Sequence, residues 1–430
     1  MTVASAVTRP TCSSTSWRVP ALTIARPGGR RYGPARVNAG GDIRIGKAMP
    51  WALIAAACLG SFAATSSGTT RAPFLIDMSH DLDVTMPLVA NLVSLTATAW
   101  GLTSAIAGWL SDRIGRRILL VTAPLVLALA MVLQAVSGDF ITLAAWAALS
   151  GAAAGTFTGV IYSEVSAHVE DRQRGRALGW VMSGQSLTLL IGVPMAAAVG
   201  AIIGWRGWLV CVGVLAAVAS IALFATVPAT RRRGARGAAG GGYSALSARL
   251  WALLGSGVAE RICYGLAAVY YATFLQVTYG LSLAELALPL AVFAVGSVVG
   301  TLMGGPLADR LHDRLMTYAA CMAASGVAAL ALFYWCPSPA VSVALGFLYV
   351  FVNSLGRPSL MATYAAVPEQ MRGTVMGLTG ASASLGWIGA AALGGLIVAF
   401  DGFDGFGPLA FVLALLGAAI AMACRKTTSS

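Results

Sequence analysis

The sequence is short of charged residues, and of acids in particular. Only 10% of its 430 residues are charged, with 28 basic against 16 acidic side chains. In soluble domains about a quarter of the residues are charged, so this shortage excludes an ordinary water-soluble enzyme. The three histidines and seven cysteines show no metal-ligand spacing. With no phosphate-binding loop or nucleophile motif either, we expect no metal, no cofactor and no catalytic residue.

Long apolar runs fill most of the chain, which is 58% hydrophobic. A helix needs about 20 apolar residues to cross a bilayer, and these runs lack the alternation of a membrane β-barrel. The predicted spans are 49–72, 86–110, 117–136, 141–164, 176–200, 205–227, 249–277, 286–308, 315–335, 340–366, 374–400 and 406–424. The sequence therefore predicts an all-α membrane protein with twelve transmembrane helices.

A basic, Gly-rich segment at 228–248 has the composition of a linker. It divides the spans into an N-terminal six-helix bundle, 49–227, and a C-terminal one, 249–424. The first 48 residues are rich in Arg, Ser, Thr and Pro, and we expect a disordered basic tail. A transit peptide or a start site assigned too far upstream are alternatives. Residues 425–430 form a short C-terminal tail.

The basic residues lie on one side of the predicted membrane. With the N-terminus in the cytoplasm, nearly all of the 28 Lys and Arg fall in cytoplasmic segments, the linker included. The positive-inside bias therefore predicts an inner-membrane protein with both termini in the cytoplasm. This distribution also explains the net charge of +12 without a nucleic-acid partner. We expect a monomer that interacts with the bilayer and a small-molecule substrate.

Two pairs of landmarks recur at nearly the same spacing. GWLSDRIGRR at Gly108–Arg117 matches GPLADRLHDR at Gly305–Arg314, and an Arg-Gly pair opens the fifth span of each half. A constant offset between several landmarks indicates a duplicated unit. The two bundles are therefore expected to be related by pseudo-symmetry in parallel orientation.

The first repeated segment resembles the signature G-x-L-x-D-R-x-G-R-R of the major facilitator superfamily. The matching residues are Gly108, Leu110, Asp112, Arg113, Gly115, Arg116 and Arg117. The second copy keeps Gly305, Leu307, Asp309, Arg310 and Arg314, and departs at His312 and Asp313. The resemblance covers about residues 49–424. It implies the major facilitator fold and secondary transport by alternating access.

These motif residues are predicted to form a gating latch. Asp112, near a helix end, can accept hydrogen bonds from a neighbouring helix N-terminus. The arginines are predicted to pair with acids of the facing half, and a weaker latch is expected at His312 and Asp313. The alternative is that the arginines only set the topology.

The fifth span carries Gly192, Val193 and Pro194, and Trp205-Arg206 follows it. This pattern resembles the sugar-efflux and drug:proton antiporter branch, although the stricter antiporter form has Gly directly before Pro. Residues 147–159 of the fourth span are uncharged, where many antiporters carry an Arg. We take Gly192 and Pro194 as a hinge. The resemblance implies proton-coupled efflux of a small organic compound.

Glycines recur at every fourth residue in two spans, at Gly151, Gly155 and Gly159 and at Gly296, Gly300 and Gly304. Small residues at this spacing let helices approach closely. We expect both faces to pack tightly on a neighbouring helix, which also suits helices that rock against each other.

Glu260 is the candidate for proton coupling because it lies near the middle of the seventh span. Ionisable groups at this depth are costly and commonly functional. Adjacent helical residues do not share a face, so Glu260 and Arg261 are predicted to point apart. The alternative is a structural ion pair between Glu260 and an arginine of another helix.

Seven residues inside spans are candidate substrate ligands: Arg71, Asn91, Gln185, Arg261, Tyr264, Asn353 and Arg357. For Arg71 the alternative is snorkelling to the membrane surface. Arg357 is expected to hold a substrate carboxylate or to pair with Glu260 or Glu164. Embedded arginines outnumber embedded acids, which favours a second function, uptake or exchange of an organic anion. A non-transporting receptor is a distant third.

Overall fold

The structure, a computed structural model, describes residues 36–37, 43–44, 49–169, 171–228, 247–311, 313–335, 337–367 and 369–426. The chain divides into two units, Met1–Met49 and Pro50–Ser430. In the first unit, β1 (Arg36–Val37) and β2 (Ile43–Arg44) form an antiparallel pair. The rest of the predicted tail, and most of the predicted linker, lie outside the described residues.

Helices make up nearly all of the second unit. They are α1 (Trp51–Thr69), a 3₁₀ turn (Ala72–Phe74), α2 (Leu75–Asp81), α3 (Met86–Ile114), α4 (Arg116–Ala135), α5 (Phe140–His168), α6 (Asp171–Leu187), a π-helical segment (Thr188–Gly192), α7 (Val193–Thr226), α8 (Ala248–Tyr279), α9 (Ala287–Arg310), α10 (Arg314–Tyr334), α11 (Pro339–Ala365), α12 (Glu369–Asp401) and α13 (Phe406–Lys426). Among the described residues, 11 helical stretches are long and apolar enough to cross a membrane. The longest, Arg176–Thr226, has 51 residues and is broken at Gly204, whose φ is 71°. Counted as two, it gives the twelve spans that the sequence predicts.

Local sequence sets several helix ends. The Asp139 side chain accepts a hydrogen bond from the Thr142 amide at 2.9 Å and caps α5. This bond holds the pKa of Asp139 below its usual value. Gly280 adopts the left-handed conformation that ends α8. Gly115 of the first motif has φ 104° and separates α3 from α4, a backbone angle that favours glycine.

The two halves repeat the same helix contacts. In the first half α3 packs on α5, and α4 packs on α5 and α7; in the second half α9 packs on α11, and α10 packs on α11 and α13. In the same way α1 contacts α6 and α7, while α8 contacts α12 and α13. The predicted fold of two pseudo-symmetric six-helix bundles is confirmed.

The glycine stripes form close helix contacts in both halves. On α5, Gly151 lies against the backbone of Thr96 in α3. On α9, Gly296 lies against Phe347 of α11, and a Cβ at Gly296 would come within 2.9 Å of the Phe347 carbonyl oxygen. The α3–α5 pair of the first half corresponds to the α9–α11 pair of the second. The glycines lie on the second helix of the first pair, α5, but on the first helix of the second pair, α9. Both glycine stripes pack tightly, as predicted. The same pair of helices packs together in each half, with the glycines on a different helix of the pair.

The halves meet mainly where α3 crosses α12. Ser94 donates a hydrogen bond to the Ile388 carbonyl at 3.1 Å, and Pro87 lies against Gly395. The 3₁₀ turn after α1 also contacts α8. Gly108, near the other end of α3, has open space around it. The halves are thus in contact at the end where α3 begins.

Candidate substrate and proton site

Glu260 and Arg261 form a two-point ion pair inside the second bundle. The side chains are 1% and 7% exposed, and Arg261 donates from Nε to Oε2 at 2.7 Å and from Nη2 to Oε1 at 2.5 Å. The prediction that these neighbours point apart is wrong. Their Cβ atoms leave the helix about 100° apart, but long side chains can bend towards each other. In an apolar interior, pairing two charges is far less costly than burying them separately.

Aromatic and small residues hold the Arg261 guanidinium in place. Its Cζ lies 4.9 Å from the centre of the Tyr264 ring, an attractive cation–π distance. Gly386 of α12 sits directly against the Arg261 side chain. Trp387 meets Tyr264 edge-on at 6.1 Å, and Ser297 lies 3.4 Å from the Tyr264 hydroxyl. Ser297 and Trp387 could not be predicted from the sequence, because a lone polar or aromatic residue in a span has no distinguishing pattern.

Two tyrosines fix α11 against α8 on either side of this pair. The Tyr349 hydroxyl donates to the Cys263 carbonyl at 2.5 Å, and that of Tyr364 donates to the Leu253 carbonyl at 2.7 Å. The stretch of α11 between these tyrosines therefore lies at the level of Glu260.

Arg357 lies in this stretch and is partly exposed. It has no hydrogen-bond or ion-pair partner within the described part of the chain, although the charges of Arg261 and Glu260 act on it. The predicted pairing with Glu260 or Glu164 is wrong, because Arg261 occupies Glu260 and Arg116 contacts Glu164 at 3.7 Å. A guanidinium with five donors is thus free to bind a ligand.

Asn353 precedes Arg357 by one helical turn. Its side chain is 1% exposed, and neither amide atom has a hydrogen-bond partner among the described residues. Residues four apart share a helix face, and a buried unpaired amide is costly. Next to it, Ser354 lies 3.1 Å from Ser297, which links α11 to α9. Asn353 and Arg357 together offer donors suited to an oxygen-rich group.

Arg71 occupies a second polar centre, in the first bundle. It is 2% exposed and donates to Thr96 at 3.0 Å, Gln134 at 2.7 Å and Ser150 at 3.4 Å. Snorkelling to the surface is therefore wrong, since the guanidinium points inward. These acceptors belong to α3, α4 and α5, so Arg71 ties the segment after α1 to three helices. A role in substrate binding stays a prediction.

Two further candidates have local partners. Asn91 donates to the Pro87 carbonyl one turn earlier in α3, at 3.1 Å. Gln185 of α6 donates to the Tyr162 hydroxyl of α5 at 2.9 Å. Both are partly exposed, and their part in substrate binding stays a prediction.

The predicted hinge coincides with a change of helix type. The segment Thr188–Gly192 is π-helical, and Pro194 stands in the first turn of α7. Thr188 donates its hydroxyl hydrogen to the Phe62 carbonyl of α1 at 3.0 Å. Such wide turns often lie at functional sites. Hinge motion at Gly192 and Pro194 stays a prediction.

Two of the three arginines of the first motif contact their own half. Arg116 lies 3.7 Å from Glu164 of α5. Arg117 donates to the Phe224 carbonyl of α7 at 3.0 Å and lies over the Phe224 ring at 4.9 Å. In this structure these two arginines pair within their own half, and their pairing with the facing half stays a prediction. The Asp112 side chain lies outside the described residues.

The second motif forms different contacts. Asp313 caps α10 by accepting from the Met316 amide at 2.9 Å, and it pairs with Arg425 of α13. Arg314 donates to the Ala308 carbonyl at 3.4 Å. The Asp309 side chain and His312 lie outside the described residues, and the exposed Arg310 remains a predicted latch residue.

Comparison with known proteins decides the family. The family model described as Major Facilitator Superfamily matches residues 57–259 and 253–429. The chain belongs to the Major Facilitator Superfamily. It is therefore a multi-pass membrane transporter by family and fold, and these point to a transporter rather than an enzyme.

Individual relatives are distant. A chloramphenicol resistance protein of Streptomyces lividans is 28% identical over 67% of this chain and 78% of its own length. The inner membrane transport protein YdhP of Escherichia coli K12 is 25% identical over 59% of this chain and 66% of its own. In another of the first curated relatives the match spans only 41% of that protein. A solved bacterial homologue of the human lysosomal transporter Spinster, in an inward-facing and unoccupied conformation, has a TM-score of 0.73 at 16% identity, covering 89% of this chain and 98% of that one.

Proposed function

We propose that this chain exports a small organic compound from the cytoplasm in exchange for protons, with Glu260 as the proton-coupling residue. The observation that carries the proposal is the buried Glu260–Arg261 pair. Its acid, Glu260, lies about 18 Å along α8 from the start of the helix. The Streptomyces lividans relative named for chloramphenicol resistance supports an organic compound as the substrate.

Protonation of Glu260 changes the charge of the site. It removes the negative charge that both Arg261 donors contact, so the site gains one positive charge next to Arg357. A cationic compound, or a neutral compound that donates a hydrogen bond to the charged Glu260 carboxylate, then binds less well. This mutual exclusion of proton and compound is what antiport requires.

The contacts between the halves support an inward-open state. The halves meet at the end where α3 begins, which the distribution of Lys and Arg predicts to be external. Near the opposite end, a Cβ at Gly108 would meet no atom within 4 Å, which fits halves that are apart there. In this state the compound enters from the cytoplasm, and the proton leaves Glu260 to the same side.

Unpaired Arg357 favours a second candidate, uptake or exchange of an organic anion such as a carboxylate. An anion can bind Arg357 and the Asn353 amide, and protonation of Glu260 adds a freed Arg261. Proton and anion then strengthen each other's binding and move in the same direction. The two candidates therefore differ in the sign of their pH dependence.

One experiment separates them. Purified protein in liposomes is given an imposed pH gradient, and movement of chloramphenicol, a neutral sugar and a carboxylate is followed together with proton flux. Export by antiport predicts opposite movement of compound and protons, and weaker binding at acid pH. Carboxylate and protons moving together, with tighter binding at acid pH, would establish the second candidate instead.

A further inference from the structure

An apolar groove of about 510 Å³ lies on the first bundle, away from the central charges. One face of α1 contributes Trp51, Ala55 and Phe62, while α6 contributes Trp180 and α7 contributes Leu215. The remaining lining side chains are aliphatic or cysteine, and none of the described lining residues is acidic. Trp51 and Trp180 are about half exposed, so the groove opens to the surroundings of the helices.

The length of the groove matches one leaflet of a bilayer. From Trp51, the first residue of α1, to Phe62 the helix rises about 16 Å. Half of the hydrocarbon core is about 15 Å. Tryptophan is enriched at membrane surfaces, which places Trp51 at the interface and Phe62 near the midplane. An extended acyl chain fits this path better than a compact ligand does.

A cation marks the interfacial end of the groove. The exposed Arg176 guanidinium lies 6.0 Å from the centre of the Trp51 ring, and Trp51 meets Trp180 edge-on at 6.1 Å. This arrangement leaves the guanidinium available to a phosphate at headgroup depth. We propose that the groove binds an anionic phospholipid, with an acyl chain along α1 and the headgroup at Arg176.

The position of the groove connects such a lipid to the α1–α6 contact. Leu187, which also lines the groove, directly precedes the π-helical segment. Gly184 packs against the Cys58 carbonyl of α1 at the same contact. A bound acyl chain therefore spans both helices beside the predicted hinge.

Native mass spectrometry of the full chain tests the proposal, with phosphatidylglycerol and phosphatidylcholine of identical acyl chains added at equal concentration. One interfacial cation is worth about 1 kcal/mol towards an anionic lipid, so we expect about fivefold stronger retention of phosphatidylglycerol. Arg176→Gln should remove this preference and Arg176→Lys should keep it. Ala55→Phe should lower retention of both lipids by filling the groove, while Ala201→Phe, at an exposed alanine of α7 outside the groove, should change neither.

Thermal unfolding identifies variants that fail to fold, and Ala55→Leu replaces Ala55→Phe in that case. Equal retention by the wild type and a folded Ala55 variant would overturn the proposal, as would an absent preference for phosphatidylglycerol. If the Ala55 variant keeps the lipid but loses binding of the transported compound, the groove is a substrate entry path and the lipid proposal is wrong. None of these outcomes depends on the direction of transport or on its coupling ion.

Discussion

Asp313, which directly precedes α10, forms an ion pair with Arg425 in the last turn of α13. Asp313 occupies the repeat position that Arg116 holds in the first half, where Arg116 contacts Glu164 of α5. The charge at this position is reversed, yet each residue connects its helix to a neighbour in its own half. The departure from the family motif therefore changes a contact without removing it.

We expect Asp313→Ala to lower the free energy of unfolding by about 1–2 kcal/mol. Loss of the N-terminal cap costs about 1 kcal/mol, and loss of an exposed ion pair costs about 0–1 kcal/mol. Arg425→Gln removes the ion pair but leaves the cap in place, and should cost less. Denaturation of both variants in detergent measures the difference, and an equal cost would show that the Met316 cap contributes nothing.

The α1–α6 contact predicts unequal effects for two glycines of one helix. A Cβ at Gly184 would collide with the Cys58 backbone carbonyl, whereas a Cβ at Gly179 meets no atom within 4 Å. Gly184→Ala should therefore destabilise the protein by about 1–3 kcal/mol through overpacking. Gly179→Ala is the matched control, and it should be neutral or stabilising because alanine favours the helix by about 1 kcal/mol.

Unfolding temperatures of the two variants, together with transport rates, check this prediction. If Gly184→Ala is as stable as Gly179→Ala, the close approach of α1 and α6 is not required for folding. A stable Gly184→Ala that transports slowly would instead assign the glycine to helix movement.

The latch prediction concerns Asp112. Asp112→Asn should lower the transport rate strongly while expression and substrate affinity change little, because the residue is predicted to bias a conformational equilibrium. Ligand binding and transport by the same purified variant are compared. Lost affinity with a normal transport cycle would show that Asp112 does not act as a latch.

The sequence predicts the fold well because the membrane restricts the choices. Apolar length is sufficient to find twelve spans, and the repeat locates the symmetry. Even the boundary at Gly204 agrees, since the predicted spans 176–200 and 205–227 meet at the residue whose positive φ breaks the continuous helical stretch.

Side-chain partners are less predictable. Helix periodicity gives the direction of Cβ but not the bending of a long side chain, so the Glu260–Arg261 pair was not predicted. The burial of Arg71 depends on Gln134 and Ser150, which lie on other helices. The pairing of Arg116 and Arg117 within one half depends on which end of the bundles is open, and a sequence does not specify a conformational state.

The final prediction tests proton coupling through Glu260. Glu260→Gln mimics the protonated acid and keeps its shape. If Glu260 carries the proton, the variant should lose proton-driven transport by a factor of ten or more, about 1.4 kcal/mol or greater in the coupled step. Exchange of compound across the membrane without a gradient should persist. Transport with and without an imposed pH gradient measures both properties.

A purely structural pair behaves differently. Loss of its acid leaves Arg261 buried without compensation, which costs about 3–5 kcal/mol, and Glu260→Gln would then fold poorly. Both carboxylate oxygens of Glu260 contact Arg261. The double variant Glu260→Gln/Arg261→Gln should therefore restore folding, whereas the double variant Glu260→Gln/Arg357→Ala should not. If Arg261→Gln restores folding and no variant shows a change in proton coupling, the Glu260–Arg261 pair has a structural role only. A stable Glu260→Gln protein that still transports against a gradient would remove Glu260 as the proton carrier.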